Sequence, residues 1–130
     1  MDRTALASLV LAEFPDAQGV YLFGSEARGE TRADSDVDVA VLLPRRLDAL
    51  ERWHAQERLA ARLGRDVDLV DLRSASAVLR VQVVDRGVLL ADPAPPARAL
   101  FEALALSDYA RLQEERRGIL DDIAARGHVQ

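Results

Sequence analysis

The stretch that decides the fold is GSEARGETRADSDVDV, residues 24–39, which lies between two apolar runs. Residues 20–23 (VYLF) precede it, and residues 39–43 (VAVLL) begin at its last valine. Both runs have the length and the β-branched or aromatic content of buried strands. The polar, glycine-containing segment between them therefore predicts a turn, a short helix and a loop that join two neighbouring strands.

Strand and helix patterns alternate along the rest of the chain. Thr4 is the expected cap of the first helix, and Leu50, His54 and Leu59 are expected on one apolar face of the second long helix. This order predicts an α/β (α+β) fold with a small mixed β-sheet of about four strands, flanked by helices and followed by a long C-terminal helix. We predict strands at 20–23, 36–43, 66–72 and 87–91, and helices at 4–14, 47–63, 75–85 and 97–126.

A proline-rich segment, residues 92–96 (DPAPP), is the one stretch with the composition of a linker. We therefore divide the chain into a core, residues 1–92, and a C-terminal helical extension, residues 93–130. The extension carries an apolar stripe within a heavily charged sequence. We expect it to pack on the core or on a partner.

Composition and charge exclude several classes of function. The net charge of −5 argues against binding through bulk electrostatics, so no direct nucleic-acid binding is expected. The absence of cysteine excludes disulfides, thiolate metal sites and a cysteine nucleophile. All 17 basic residues are arginine, so no lysine is present to form a Schiff base or a Walker-type phosphate loop. No apolar run is long enough to span a membrane, and we expect a cytoplasmic protein.

Aspartates alternate with valines at the start of the second predicted strand. Because side chains of a strand alternate between its faces, Val37, Val39 and Val41 share one face, while Asp36 and Asp38 share the other. The valine face is expected to pack on helices. The aspartate face is then expected to meet solvent or a metal, and paired carboxylates suit divalent cations such as Mg²⁺.

The third predicted strand supplies a third acid. If Val67 faces the core, Asp66 and Asp68 point to the carboxylate side and Asp71 does not. Asp68 lies in the middle of the strand and is our choice for the third ligand. Asp66 and Asp71 are expected only to end the strand.

The pair Gly24-Ser25 follows the first predicted strand. Glycine allows a sharp turn and the close approach of a phosphate, and a serine at a helix start offers its hydroxyl beside free N–H groups. A plain turn with a helix cap explains the pair equally well, but an Asp-x-Asp segment at the start of the next strand favours a phosphate site. Arg28 and Arg32 either neutralise phosphate or pair with acids of the loop.

Two other metal sites are excluded by the pattern. A calcium loop that begins at Asp34 would have Val39 at the position that needs glycine, and Arg45 at the position that needs glutamate. The two histidines, His54 and His128, lack the spacing of metal ligands.

These residues resemble a known superfamily. Gly24-Ser25, ten residues, and then Asp36-Val37-Asp38 is similar to the signature of the DNA polymerase β-like nucleotidyltransferases. The longer pattern G-S-x-A-R-G-x-x-R-x-x-S-D-x-D, from Gly24 to Asp38, resembles the minimal nucleotidyltransferase branch, which is the MntA type of HEPN–MNT toxin–antitoxin systems. Residues 67–72 resemble its third-acid strand, residues 86–92 resemble its later helix-to-strand junction, and a charged tail fits as well.

The resemblance implies a catalytic role for the core and assigns its residues. Residues 1–92 become a nucleotidyltransferase catalytic core that uses ATP and Mg²⁺. Asp36 and Asp38 are implied to bind the metal ions at the α-phosphate, and Asp68 to bind the ion that activates the acceptor hydroxyl or to act as its base. Nucleotide binding is implied for Gly24, Ser25 and Arg28, with Ser25 and the neighbouring backbone at the β- and γ-phosphates.

The resemblance also implies a partner. Members of this branch transfer AMP to a tyrosine of a cognate HEPN ribonuclease toxin (HepT-like) and bind it in a hetero-oligomer, which implies an antitoxin protein adenylyltransferase. Two alternatives stay open: a small-molecule (aminoglycoside-like) nucleotidyltransferase that works as a dimer, and a binding-only antitoxin with a vestigial site. The sequence shows no second domain to enclose an antibiotic, so we expect a docked protein to supply the acceptor.

Overall fold

A computed structural model describes residues 1–30 and 36–127 of the chain. The described residues form a sheet of four strands with helices on both faces. The helices are α1 (Arg3–Glu13), α2 (Gly24–Ala27), α3 (Ala49–Leu63), α4 (Ala77–Arg86) and α5 (Pro95–Gly127), and the strands are β1 (Gly19–Phe23), β2 (Val37–Leu42), β3 (Val67–Asp71) and β4 (Val88–Ala91).

The strand order places three chain segments together at one end of the sheet. The order is β3-β2-β1-β4, with β1 antiparallel to β2 and β4, and with β2 parallel to β3. The end of β1 therefore meets the beginnings of β2 and β3. We call this the carboxylate end of the sheet, because Asp36, Asp38 and Asp68 lie there. The predicted mixed sheet of four strands is confirmed.

One face of the sheet packs on α1 and α3. Val37, Val39 and Val41 are fully buried in this cluster, as the alternating pattern predicted. Leu6 of α1 and Leu59 of α3 meet them there. Burial of about five such side chains stabilises the fold by roughly 1.5–3 kcal/mol each.

The opposite face is divided between acids and apolar residues. Asp38 shares this face with Ala40 and Leu42, both of which are fully buried. Phe101 of α5 and Val83 of α4 belong to the same cluster. The expectation that this whole face meets solvent or metal was therefore wrong, because two helices cover it beyond the carboxylate end.

The long helix α5 has a packed part and a projecting part. Phe101 and Ala105 are buried against the sheet, and the Tyr21 hydroxyl donates a hydrogen bond of 3.0 Å to Glu102. Further along, apolar side chains such as Ile119 are exposed, 61% in that case. The division of the chain at residues 92 and 93 stays a prediction. In the described parts of the chain, no helix combines the length and apolarity needed to cross a bilayer.

Two local details differ from the sequence prediction. Asp2, not Thr4, caps α1, because its carboxylate accepts hydrogen bonds from the backbone N–H groups of Thr4 and Ala5. Leu50 and His54 are exposed rather than buried. Helix α3 begins at Ala49, after its cap Asp48, and buries Ala55 together with Leu59, which was predicted on the apolar face.

Asp71 is a buried structural acid. Its carboxylate accepts hydrogen bonds from the backbone N–H of Leu47 at 2.8 Å, the backbone N–H of Arg73 at 3.1 Å and the hydroxyl of Ser74 at 2.8 Å. These bonds fasten the end of β3 to the segment that leads into α3. The prediction that Asp71 points away from the carboxylate side agrees with this burial.

Replacement of Asp71 should therefore destabilise the fold. Asp71→Ala leaves three donors without their acceptor, two of them backbone groups, and we expect the free energy of unfolding to fall by about 2–4 kcal/mol. Urea denaturation followed by circular dichroism measures this change. The matched control is Asp66→Ala, an exposed acid beside the same strand, which should change stability by less than about 0.5 kcal/mol. Equal effects of the two substitutions would contradict the assigned role of Asp71.

Candidate active site

The turn after β1 is shaped around the Asp38 carboxylate. Gly24 has a φ of +70°, a backbone conformation that favours glycine. A Cβ atom at this position would overlap the carboxylate of Asp38, whose Cα is the register partner of Phe23. Glycine is thus favoured at position 24 for two physical reasons, which are the backbone angle and the acid that lies against it.

Asp38 and Asp68 lie side by side on one face of the sheet. They are register partners in the parallel pair of β2 and β3, and neighbouring strands are about 4.8 Å apart. Asp36 directly precedes β2 and is exposed, as is Asp68, whereas Asp38 is half-buried. The structure therefore brings the three predicted acids to one end and one side of the sheet.

The three acids interact electrostatically. Burial raises the pKa of Asp38 above its ordinary value, and the negative charges of Asp68 and Asp36 raise the pKa further. The Arg28 guanidinium acts in the opposite direction and lowers the same pKa. Among the residues that the structure describes, three acids thus lie at the carboxylate end, and Arg28 is the cation that lowers the pKa of Asp38.

The three acids offer the oxygen atoms that a hard divalent cation prefers, although their side chains do not converge on one point. Within residues 1–30 and 36–127, no group of three or more His, Cys, Asp or Glu side chains stands close enough to hold a metal ion. The carboxylates of Asp36, Asp38 and Asp68 nevertheless supply oxygen donors at this end of the sheet, and the charges of Asp68 and Asp36 repel that of Asp38. A bound cation would relieve this repulsion as the side chains turn toward it.

Of the predicted nucleotide-binding residues, Gly24 and Ser25 lie in the turn that packs on Asp38, and Ser25 is half-buried. Arg28 is exposed one turn later and forms an ion pair of 3.2 Å with Glu30. Of the two roles that the sequence left open for Arg28, the structure shows the pairing with an acid of the loop, and the neutralisation of phosphate stays a prediction. Arg32 and Asp34 lie outside the described residues.

A cleft of about 890 Å³ opens beside the turn at Gly24 and Ser25, which we call the signature turn. Its volume lies within the range of pockets that bind small ligands and cofactors. One wall is the end of β1 with the turn, and the other wall is α4 with one residue of α5. The lining residues are Phe23, Gly24, Arg28, Val78, Val81, Gln82, Asp85, Arg86 and Tyr109.

A smaller concavity of about 330 Å³ lies on the other side of the acids, beside the edge strand β3. Asp68 contributes to its wall, and most of the remaining surface is apolar. Helix α4 contributes to both spaces, with Val78 in the cleft and Leu79 in the concavity. The lining residues are Arg52, Asp68, Leu69, Val70, Asp71, Ser74, Ala75 and Leu79.

Sequence reasoning missed the walls of the site. Nothing in the pattern of α4 distinguishes Val78, which lines the cleft, from an ordinary exposed valine. It also missed the buried Glu26 inside the signature and its partner Arg65. A glutamate between two helix-forming residues carries no local sign of burial, so only the tertiary structure identifies it.

Comparison with known families and proteins agrees with this geometry. Residues 8–95 match the family described as Polymerase beta, Nucleotidyltransferase. The chain is 42% identical to the protein adenylyltransferase MntA of Shewanella oneidensis over 125 residues, which are 96% of this chain and 89% of that protein. The similarity therefore extends well beyond residue 95 into α5.

Solved structures give the same result. The chain is similar to one in a toxin–antitoxin crystal structure with AMP-PNP, with a TM-score of 0.83 and 41% identity, covering 95% of this chain and 98% of that one. It is also similar to a chain in a structure of the tri-AMPylated HEPN toxin of Shewanella oneidensis in complex with MNT antitoxin. There the TM-score is 0.75 and the identity 40%, over 93% of this chain and 94% of that one.

Removal of the Asp38 charge should stabilise the ligand-free protein. Because the folded-state pKa of Asp38 is raised, the ionised carboxylate disfavours the folded state once the pH exceeds the ordinary aspartate value of about 4. We expect Asp38→Asn to raise the free energy of unfolding at pH 7, and the difference from wild type to vanish as the pH falls below about 4.

Urea denaturation at a series of pH values in the presence of EDTA measures this difference. Asp66→Asn serves as the control, because Asp66 is exposed and is not among the groups that shift the Asp38 pKa. A loss of stability in Asp38→Asn at pH 7 would contradict the proposed crowding of charge.

Proposed function

This chain belongs to the polymerase beta nucleotidyltransferase family, and we propose that it is an antitoxin protein adenylyltransferase. In this proposal it transfers AMP from ATP to a tyrosine of a cognate HEPN toxin, which it also binds in a hetero-oligomer. One observation carries the proposal: the similarity to MntA covers 96% of the chain, whereas the general family match ends at residue 95. The helix α5 is thus shared with a protein adenylyltransferase, beyond the catalytic core that diverse nucleotidyltransferases have in common.

The cleft of about 890 Å³ is the proposed site of the nucleotide. Gly24 lines this cleft, and the Asp38 carboxylate lies where a Cβ atom of residue 24 would be. Ser25 and the turn backbone would hold the β- and γ-phosphates, and Arg28 would add positive charge. The apolar side chains of Phe23 and Val78 would then contact the nucleoside.

Asp36, Asp38 and Asp68 would hold Mg²⁺ between the nucleotide and its acceptor. When bound, the ion supplies positive charge to the triphosphate, which stabilises the negative charge that develops on the departing pyrophosphate. The protein contributes position and a fixed arrangement of charges, which is most of what phosphoryl transfer requires. The three acids at the carboxylate end support a cation in this place.

The concavity beside Asp68 is the proposed entry of the acceptor. Attack on the α-phosphorus runs roughly in line with the leaving group, so an acceptor must approach from the side opposite the β- and γ-phosphates. With the triphosphate at Gly24, that side is β3. The phenol oxygen of the acceptor bonds to the α-phosphorus, the bond from that phosphorus to the bridging oxygen breaks, and pyrophosphate leaves. Asp68 accepts the phenol proton.

The character of this concavity favours a tyrosine over an aminoglycoside. Val70, Ala75 and Leu79 present apolar surface that suits an aromatic ring. The Arg52 guanidinium is held there by hydrogen bonds of 3.2 Å to the Leu69 carbonyl and to the Gln56 side chain. The Asp68 and Asp71 carboxylates line the same space, so the preference for a tyrosine rests on the apolar surface and not on charge.

Incubation with labelled ATP tests the proposed reaction. The wild-type protein, with Mg²⁺ and the HEPN protein encoded beside it, should label that partner on tyrosine, and mass spectrometry locates the site. Asp38→Asn should lower transfer by at least about a hundredfold, because the ions lose one carboxylate oxygen ligand at the reacting phosphate. The variant should remain folded by circular dichroism.

Other outcomes identify the alternatives. Label on aminoglycosides alone would overturn the protein acceptor in favour of a small-molecule nucleotidyltransferase. Absence of label on any partner, together with full rescue of growth by Asp38→Asn in cells that express the toxin, would identify a binding-only antitoxin.

The proposed site has a nucleotide side, which is the cleft, and an acceptor side, which is the concavity. The same substitution on each side should therefore raise KM for a different substrate. Ala75→Glu places a charge in the apolar concavity and should raise KM for the protein acceptor about tenfold or more, with KM for ATP changed less than about threefold. Val78→Glu places the same charge in the cleft, where it replaces an apolar contact of the nucleoside, and should raise KM for ATP instead.

Steady-state kinetics with ATP and acceptor varied separately measure both effects. Each variant serves as the control for the other, since the substitutions introduce the same side chain three positions apart. Parallel changes of both KM values in both variants would contradict the proposed division of the site.

A further inference from the structure

A buried ion pair lies directly beneath the signature turn. The Arg65 guanidinium contacts the Glu26 carboxylate at 2.6 Å, and only 4% of the Glu26 side chain and 20% of the Arg65 side chain are exposed. A carboxylate so deeply buried is unfavourable unless it is paired, and a well-packed apolar side chain in its place is often at least as stable. The pair therefore calls for an explanation other than stability.

The helix that carries Glu26 has little local stabilisation of its own. Helix α2 has four residues, and its cap Phe23 makes no side-chain hydrogen bond to it. Helices this short do not persist in isolation. Its position depends on tertiary contacts, which include the Arg65 pair and a 3.2 Å hydrogen bond from the Arg3 guanidinium to the Glu26 carbonyl.

The pair joins the two segments that carry opposite halves of the proposed site. Glu26 is the residue after Ser25, and Arg65 is three positions before Asp68. Glu26 lies in α2, directly after β1, and Arg65 lies just before β3, and these two strands are not neighbours because β2 lies between them. The side chains of Glu26 and Arg65 thus connect the signature turn to the third-acid strand past the start of β2.

We propose that the Glu26–Arg65 pair is a positioning element that fixes the signature turn relative to Asp68. The inference rests on the proposed function and concerns its geometry: the nucleotide contacts the turn, and the acceptor contacts Asp68. Neither residue touches either substrate. The pair sets the separation of the two reacting groups, to which the rate of an in-line transfer is very sensitive.

Loss of the pair should therefore lower kcat more than it weakens nucleotide binding. Glu26→Gln keeps the size of the side chain but removes its charge. We expect kcat for AMP transfer to fall on the order of ten- to a hundredfold, with KM for ATP changed less than about threefold. Arg65→Lys keeps the positive charge without the guanidinium fork and should give an intermediate kcat.

Two further variants separate positioning from stability. Glu13→Gln is the matched control, because Glu13 accepts a 2.7 Å hydrogen bond from Arg58, is 9% exposed in its side chain and joins α1 to α3 away from the signature turn. It should leave kcat unchanged. The double variant Glu26→Gln/Arg65→Gln removes both charges, so it should melt closer to wild type than Glu26→Gln does, yet it should keep a lowered kcat.

The kinetics are measured on the full chain with its toxin partner, below the melting temperature of every variant. Wild-type transfer together with an unchanged kcat in Glu26→Gln would overturn this inference and leave the proposed function standing. So would a double variant that regains both stability and kcat, because the pair would then matter only for folding. A wild-type protein that transfers no AMP would overturn the proposed function, and this inference with it.

Discussion

The crowding of carboxylates at one end of the sheet is the constraint on which the site depends. The parallel register of β2 and β3 sets Asp38 beside Asp68, and the antiparallel register of β1 brings the Gly24 turn onto the same carboxylate. No residue larger than glycine fits at position 24 without moving Asp38. Burial, and then the negative charges of Asp68 and Asp36, raise the pKa of Asp38.

The rest of the fold supplies the stability that this end lacks. The valines of β2 are buried beneath α1 and α3, and Ala40 and Leu42 are buried beneath α4 and α5. Both faces of a small sheet are thus covered, except where the acids begin. Asp38 depends on these surroundings, because its raised pKa means that the ionised carboxylate disfavours the folded state. The Glu26–Arg65 pair is also a feature that folding alone does not require. It is a buried charge pair at a place where an apolar contact would stabilise the fold as well.

The sequence predicts what depends on neighbours along the chain. Alternation with a period of two assigned Val37 and Val39 to one face and Asp36 and Asp38 to the other, and the register of the strands agrees. The sequence did not predict features that depend on contacts between residues far apart in the chain. The covering of Leu42 by α5 and the pairing of Glu26 with Arg65 join residues far apart in the chain.

The central claim is that the signature turn and the three acids form one site for ATP with magnesium. A crystal structure of the protein with Mg²⁺ and a non-hydrolysable ATP analogue tests it most directly. The account predicts the triphosphate against Gly24 and Ser25, with magnesium between the α-phosphate and carboxylate oxygens of Asp36, Asp38 and Asp68. A nucleotide bound elsewhere, or metal ions held by other residues, would contradict it.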